Sequence, residues 1–159
     1  ALYQHALSRL RTQVDEVIIS ANRNQDVYAQ SGCRIIGDVD TTFPGPLAGI
    51  LSGLHASTSE WVVFVPCDVP AFPIDLVHRL WQARVEANAA YVTDGERSHP
   101  TLLLINKSLI EPLETYLYLG NRKLMLFMEQ VRAKTVSFSD QPGAFRNMNS
   151  PEDLSNWED

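Results

Sequence analysis

A single carboxylate follows an unbroken apolar run in the stretch VFVPCDVP, residues 63–70. Residues 61–65 show no alternation of polar and apolar side chains, which predicts a strand buried on both faces, as in a parallel sheet. Pro66 and Pro70 lack a backbone donor, so the strand is predicted to end before Asp68. Ligands bind at the carboxyl ends of strands in open α/β sheets, which makes Asp68 a candidate ligand of a hard cation such as Mg²⁺. The alternative is an aspartate that only caps a turn.

The stretch PGPLAGI, residues 44–50, is a candidate anion site. Gly45 and Gly49 would let backbone and ligand approach closely. A helix that starts at Pro46 and Leu47 would offer unpaired N–H groups to an anion. The alternative is a turn followed by an ordinary helix start.

Four further polar side chains are candidates with weaker signals. Asp38 follows a predicted strand, and a ligand contact and a turn residue fit it equally well. Asn147 and Asn149 alternate, so on a strand they would face the same side, where they line a site or bind loop backbone. His99 is either a ligand contact or a partly exposed turn histidine.

Two neighbouring cations, Arg122 and Lys123, lie near a predicted helix start. Cations are unfavourably placed there relative to the helix dipole. An anionic ligand would explain them, and a solvated helix face is the alternative.

Composition limits the classes of function. The chain has 159 residues, 45% hydrophobic and 20% charged, which predicts one globular domain. A net charge of −6 without a basic run argues against nucleic-acid and membrane-surface partners. No apolar stretch approaches the ~18 residues of a membrane span, and no signal-peptide pattern is present. Cys33 and Cys67 form neither a metal-spaced motif nor a disulfide framework, which predicts a cytoplasmic protein.

Helical and strand patterns alternate along the chain. Helices are predicted over residues 2–10, 24–30, 47–56, 73–87, 108–119 and 121–131, with a last helix from Ser150 and Pro151. Strands are predicted over residues 17–20, 34–36, 61–65 and 134–138, with two more inside residues 89–105 that join at an Asp94–Gly95 turn. This order predicts a three-layer α/β sandwich with a mostly parallel sheet and an antiparallel strand near residues 101–105.

Four stretches together resemble the molybdenum cofactor guanylyltransferase family (molybdopterin-guanine dinucleotide synthase). They are SANRN at 20–24, DVDTTFPGPLAGI at 38–50, VPCDVP at 65–70 and FRNMNSPEDL at 145–154, and the spacer DGERSHPT at 94–101 matches as well. The resemblance extends from the first helix to the last. It implies a Rossmann-like nucleotidyltransferase sandwich that transfers GMP from GTP to the terminal phosphate of molybdopterin, releases pyrophosphate and uses Mg²⁺.

The resemblance also implies roles for individual residues. Asp68 would be the catalytic residue and the metal ligand. The implied nucleotide-binding residues are Ser20, Asn22, Asp38, Gly45, Pro46, Leu47, Gly49 and Asp68, and the substrate-binding residues are Asn147, Asn149 and His99. The implied partners are GTP and molybdopterin, with molybdoenzyme maturation proteins as candidate protein partners.

Two departures from the family pattern bear on activity. Ser20 stands where the family has asparagine, and serine still donates and accepts a hydrogen bond. The family's opening Gly-rich loop, with its phosphate-binding lysine, has no counterpart in residues 1–159. We expect a single domain truncated at its N-terminus, with a strand not contained in this sequence between the strands at 17–20 and 61–65.

Two other functions stay open at this point. The chain could be a degenerate or truncated, non-catalytic family member that binds molybdopterin or a partner protein. It could also be a cytidylyl- or sugar-nucleotidyltransferase, against which the PGPLAG stretch argues.

Overall fold

A computed structural model describes residues 2–14, 18–20, 34–36, 46–66, 69 and 71–146. The helices in this part of the chain are α1 (Leu2–Arg11), α2 (Pro46–Ala56), α3 (Leu76–Ala83), α4 (Ile110–Tyr118) and α5 (Leu124–Gln130). The strands are β1 (Ile18–Ser20), β2 (Arg34–Ile36), β3 (Trp61–Phe64), β4 (Ala89–Thr93), β5 (Ser98–Asn106) and β6 (Lys134–Ser137). Two short 3₁₀ helices cover Lys107–Leu109 and Pro142–Phe145.

The described strands form a two-stranded and a four-stranded sheet. Strands β1 and β2 pair in parallel, and the larger sheet has the order β3-β5-β4-β6. Strand β5 is antiparallel to both β3 and β4, and β6 is parallel to β4. Three of the four strands therefore run in one direction, and the predicted antiparallel strand is confirmed as β5.

Apolar side chains cover both faces of the four-stranded sheet, which gives the predicted three layers. On one face, cluster 1 joins the sheet to α2, α4 and α5, and on the other, cluster 2 joins it to α3. Cluster 1 contains Leu47, Ala48, Ile50, Leu51, Leu54, Ala89, Tyr91, Leu103, Ile105, Leu109, Leu113, Tyr116, Leu117, Leu124, Phe127 and Met128. Cluster 2 contains Val69, Phe72, Leu76, Leu80, Ala90, Val92, Leu102, Leu104, Phe138 and Phe145.

Strand β3 is less deeply buried than predicted. Its four residues are only half-buried, and among the described residues it pairs antiparallel with β5. The parallel neighbour expected for it is a strand not contained in this sequence and stays a prediction. Val62 and Phe64 pack against cluster 1, whereas Trp61 and Val63 pack against cluster 2. The apolar run lacks alternation because both faces of the strand meet apolar layers. The strand ends at Phe64, one residue earlier than predicted.

Several helices are shorter than their sequence patterns suggest. The helix predicted over 73–87 is α3, which begins only at Leu76, whose N–H donates to Pro73 O in a preceding turn. Its end precedes Glu86, which has a φ of 64°. The region predicted as a helix over 108–119 begins with a 3₁₀ turn before α4. The helix predicted over 121–131 is α5, which begins only at Leu124. The helices predicted at 24–30 and from Ser150 lie outside the described residues.

The position of Arg122 is explained by the helix before it. Its Nη1 donates to Leu117 O at 2.9 Å, one of the last carbonyl groups of α4. A cation is stabilised at a helix C-terminus, where the dipole is negative. The contact with the end of α4 therefore explains the position of Arg122 before α5, and no anionic ligand is needed to explain it.

A bidentate ion pair ties α3 to the segment after β6. Arg79 Nη1 and Nη2 donate to the two carboxylate oxygens of Asp140 at 2.9 and 2.6 Å, and Arg79 Nε lies 3.0 Å from Asp75 Oδ2. The guanidinium also lies 4.5 Å from the ring centroid of Phe138. The hydrogen bonds from Arg79 lower the pKa of the Asp140 carboxyl to about 2, and the same contact raises the pKa of Arg79.

The Asp140 carboxylate should make stability depend on pH in the acid range. Its folded-state pKa of about 2 lies below the ~3.9 of an unfolded aspartate, so its contribution is fully present above about pH 4. As the pH falls from about 4 to about 2, that contribution is lost. Urea unfolding should show that Asp140→Asn costs most near neutral pH and progressively less towards pH 2. A cost that does not change with pH would contradict this role.

Two glycines of α2 differ in the space around them. A Cβ on Gly53 would lie 2.5 Å from a ring carbon of Phe64 on β3. Among the described residues, a Cβ on Gly49 would meet no atom within 4 Å. The helix therefore approaches β3 closely at Gly53 and leaves room at Gly49.

This difference predicts opposite effects of two matched substitutions. Gly53→Ala should lower the free energy of unfolding by about 1–2 kcal/mol, because overpacking costs ~1–3 kcal/mol and exceeds the helix-propensity gain of up to ~1 kcal/mol. Gly49→Ala should raise it by up to ~1 kcal/mol. Urea titration of both variants measures the two effects, and equal stability of the two variants would show that Phe64 moves aside freely.

Candidate functional site

The carboxyl edge of the four-stranded sheet gathers the ends of several strands. Strands β3, β4 and β6 run in the same direction, so Phe64, Thr93 and Ser137 end at this edge. The antiparallel strand β5 begins there, with Ser98 opposite Thr93. This is the edge at which α/β sheets bind ligands.

The structure describes five of the residues predicted for the site. They are Ser20, Pro46, Leu47, Gly49 and His99. The other predicted residues lie outside the described residues, and their roles stay predictions: Asn22, Asp38, Gly45, Asp68, Asn147 and Asn149.

On the predicted nucleotide side, Ser20 and the start of α2 belong to elements that contact each other. Ser20 ends β1 and pairs with Ile36, the last residue of β2. Helix α2 begins at the predicted Pro46 and packs against β1, β2 and β3. Leu47 is 1% exposed and belongs to cluster 1, so its side chain packs in the core.

The chain immediately after Asp68 packs into the core. Pro66 O accepts a hydrogen bond from Val69 N at 3.4 Å. Val69 and Phe72 are almost fully buried in cluster 2. The loop after β3 is therefore anchored by apolar packing immediately beyond Asp68.

The chain before Asn147 is anchored in the same cluster. Phe145 is 3% exposed and contacts Phe138 edge-to-face, with ring centroids 5.5 Å apart. Both rings belong to cluster 2, together with Val69. Residues next to two predicted site positions, Asp68 and Asn147, thus share one apolar cluster although they are far apart in sequence.

His99 lies on β5 and contacts this cluster through its ring. The imidazole stacks on Phe145 with centroids 5.5 Å apart and an interplanar angle of 23°. Its Nε2 lies 2.8 Å from Asp94 Oδ2, and the side chain is 22% exposed. The predicted partial exposure of His99 is confirmed, but the residue lies on strand β5 and not in the turn itself. Its role as a ligand contact stays a prediction, and its two partners orient the ring.

Asp94 is a residue that the sequence predicted only as part of a turn. Its Oδ1 accepts from the backbone N–H groups of Glu96 and Arg97, both at 2.8 Å. The bond with His99, followed by these two backbone bonds, holds the pKa of the Asp94 carboxyl well below its usual range. The D-G-x-x-x-H spacing is the sequence signal from which the contact between Asp94 and His99 could have been predicted. A D-G turn brings the fifth residue after the aspartate back across the hairpin.

An open groove of about 570 Å³ lies beside these anchored segments. Arg9, Ile74, Gln141 and Arg146 are among its lining residues. Arg9 Nη1 also donates to Phe72 O at 3.4 Å, which ties α1 to the loop after β3. Two of the lining residues, Arg9 and Arg146, carry a positive charge.

Two features are absent from the residues that the structure describes. No group of three or more histidine, cysteine, aspartate or glutamate side chains is arranged to hold a metal ion there. Within the same residues, no helix combines the length and apolar character needed to cross a membrane.

The sequence is similar to a known protein family and to individual proteins at about 50% identity. It matches the MobA-like NTP transferase domain family over residues 1–135. It is 54% identical over 157 residues to the molybdenum cofactor guanylyltransferase of Serratia proteamaculans (strain 568), covering 99% of this chain and 80% of the relative. Identity to the molybdenum cofactor guanylyltransferase of Yersinia pestis (strain Pestoides F) is 49% with the same coverage.

The fold is similar to that of a solved structure. Molybdopterin-guanine dinucleotide biosynthesis protein A from Archaeoglobus fulgidus superimposes with a TM-score of 0.75 at 18% sequence identity, covering 98% of this chain and 82% of the other. The predicted α/β nucleotidyltransferase fold is therefore confirmed. With half of the residues identical to named relatives along nearly its whole length, the chain belongs to the molybdenum cofactor guanylyltransferase family, within the MobA-like NTP transferases.

Proposed function

We propose that this protein transfers GMP from GTP to the terminal phosphate of molybdopterin and releases pyrophosphate. Family membership is the first support, since the relatives are named for guanylyltransferase activity. The proposal assigns nucleotide binding to the Ser20, Asp38 and α2 region, and molybdopterin binding to the region of His99, Asn147 and Asn149.

One structural observation supports the proposal most directly. Val69, the neighbour of Asp68, and Phe145, two residues before Asn147, are buried in the same cluster. His99 stacks on Phe145 at the edge where β5 begins. Two substrates that react with each other must be held side by side, and one apolar cluster that contains residues close in sequence to both predicted binding segments would provide for this.

The proposed reaction is a direct displacement at the α-phosphorus of GTP. A phosphate oxygen of molybdopterin forms the new P–O bond, and the bond between the α-phosphorus and the bridging oxygen to the β-phosphate breaks. Pyrophosphate leaves with the electron pair. The nucleophile is already anionic, so this step needs no covalent enzyme intermediate and depends on positioning and charge neutralisation.

Asp68 is the residue we propose for holding Mg²⁺. A single hard carboxylate oxygen leaves coordination positions for water and phosphate oxygens, which suits a magnesium ion that binds mainly to nucleotide. The ion, when bound, would neutralise charge on the phosphates. The anchoring of Val69 and Pro66 on either side would fix where the loop carries this carboxylate.

The cellular setting is part of the proposal. The two cysteines fit a reduced cytoplasm, and molybdoenzyme maturation proteins are the proposed recipients of the product. A second candidate function is a non-catalytic family member that binds molybdopterin without GTP turnover. It would bind the pterin and yet form no dinucleotide in the presence of GTP and Mg²⁺.

Substitution of the proposed metal ligand tests the enzyme. Asp68→Ala in the full-length protein should reduce GMP transfer by a hundredfold or more, because charge neutralisation on the phosphates is lost. Its urea midpoint should stay close to that of the parent. Radiolabelled GTP with purified molybdopterin gives the rate, and Glu129→Ala, which removes an exposed carboxylate on α5, is the control. Retained transfer, or a stability loss above ~3 kcal/mol, would mean that Asp68 is a structural cap.

A further inference from the structure

The turn between β4 and β5 uses the two oxygens of Asp94 for different purposes. Oδ1 accepts from the N–H groups of Glu96 and Arg97, so the carboxylate is fixed within the turn. Thr93 Oγ1 adds a bond to Arg97 O at 3.0 Å, and Asp94 N donates to the same carbonyl at 3.0 Å. With Oδ1 occupied, Oδ2 points to His99 Nε2 at 2.8 Å.

This contact selects one tautomer of His99. An ionised carboxylate only accepts hydrogen bonds, so Nε2 must carry the proton that it donates to Asp94. In the neutral ring Nδ1 is then an acceptor. Among the described residues, Nδ1 has no hydrogen-bond partner.

The face of the ring is fixed as well. His99 stacks on Phe145, which is held against Phe138 within cluster 2. The edge and the face of the imidazole are thus both constrained, and the side chain remains 22% exposed. Packing on Phe145 alone would leave the edge of the ring unconstrained, and the contact with Asp94 Oδ2 fixes that edge.

We propose that Asp94 and Phe145 are positioning residues that present Nδ1 of His99 as a hydrogen-bond acceptor to a donor group of a bound substrate. This inference rests on the proposed function and deepens it. The matching chemistry is an N–H or O–H group of a substrate, which GTP offers on its guanine and ribose and molybdopterin on its pterin. Separate measurements with the two substrates distinguish these sources.

Asp94→Asn is a sharp test because it keeps the turn. Asparagine Oδ1 still accepts from Glu96 and Arg97 N–H, and Asn-Gly is a favourable hairpin turn. The amide N–H₂ group then replaces Oδ2 and donates to Nε2, which moves the ring proton to Nδ1. Nδ1 of His99 thereby changes from a hydrogen-bond acceptor to a donor, and the hairpin is kept.

Nuclear magnetic resonance of the full-length protein labelled with ¹⁵N-histidine reads the tautomer directly. At a pH at which the spectrum shows a neutral ring, His99 should be protonated on Nε2 in the parent and on Nδ1 in Asp94→Asn. Addition of GTP or of molybdopterin should shift the Nδ1 resonance of the parent. A parent ring protonated on Nδ1, or an Nδ1 resonance that neither ligand moves, would overturn the proposal whether or not GMP is transferred.

Steady-state kinetics supply the second readout. Asp94→Asn should raise the KM for one of the two substrates about tenfold, the effect of one lost hydrogen bond, and change kcat by less than about threefold. His99→Phe keeps an aromatic ring on Phe145 and should raise the same KM at least as much. The control is Glu114→Gln, which removes the carboxylate 3.7 Å from His55 in another histidine–carboxylate pair and should leave both KM values unchanged.

The outcomes separate this inference from the proposed function. In one outcome the parent and Glu114→Gln transfer GMP, and both KM values of Asp94→Asn equal those of the parent. That result would overturn the role of Asp94 and leave the guanylyltransferase proposal standing. In another outcome the parent protein transfers no GMP, but its His99 Nδ1 resonance shifts when a ligand is added. That result would overturn the proposed guanylyltransferase activity and support the binding role of His99.

Discussion

Strand β5 is the constraint on which the arrangement of the sheet depends. Both β3 and β4 hydrogen-bond to β5 in the four-stranded sheet, and they do not neighbour each other. Leu104 lies opposite Val63 and Ala90, and Leu103 lies opposite Phe64 and Tyr91. Between Tyr91 and Val92 the pairing with β4 shifts, so that Val92 lies opposite His99. A shift of one residue would turn every side chain of β5 to the other face.

The two faces of β5 explain why its register is well determined. Leu102 and Leu104 belong to cluster 2, whereas Leu103 and Ile105 belong to cluster 1. All four are buried, so the strand reads as a continuous apolar run even though its neighbours are antiparallel. Continuous runs are usually taken to indicate parallel strands. Here the same pattern arises because helices cover both faces of the sheet.

The sequence was sufficient for features that depend on nearby residues. The strands, the start of α2 at Pro46 and the Asp94–Gly95 turn follow from local patterns and turn chemistry, and the structure confirms them. The close approach of Gly53 to Phe64 and the pairing of Arg79 with Asp140, 61 residues away, have no local pattern. They depend on which faces the folded chain brings together.

The candidate site shows the same division. The sequence predicts Asp68 and Asn147 as site residues, and these roles stay predictions. Only the folded chain shows that Val69 and Phe145, which are close to them in sequence, share one cluster. The orientation of His99 lies between these cases. Its partner Asp94 is five residues away, so the sequence spacing can predict that contact. The aromatic ring on which His99 stacks belongs to Phe145, 46 residues further along, and no local sequence pattern predicts that contact.

The antiparallel direction of β5 also determines what the carboxyl edge contains. A parallel strand brings only its last residues to this edge, and its start, with the preceding loop, lies at the opposite edge. Strand β5 instead brings its first residues, together with the turn that precedes them. Asp94 and His99 form their contact within this hairpin, and because β5 is reversed the hairpin lies beside the ends of β4 and β6. One reversed strand therefore adds a short-range, preoriented polar pair to an edge that parallel strands would supply only with separate loop ends.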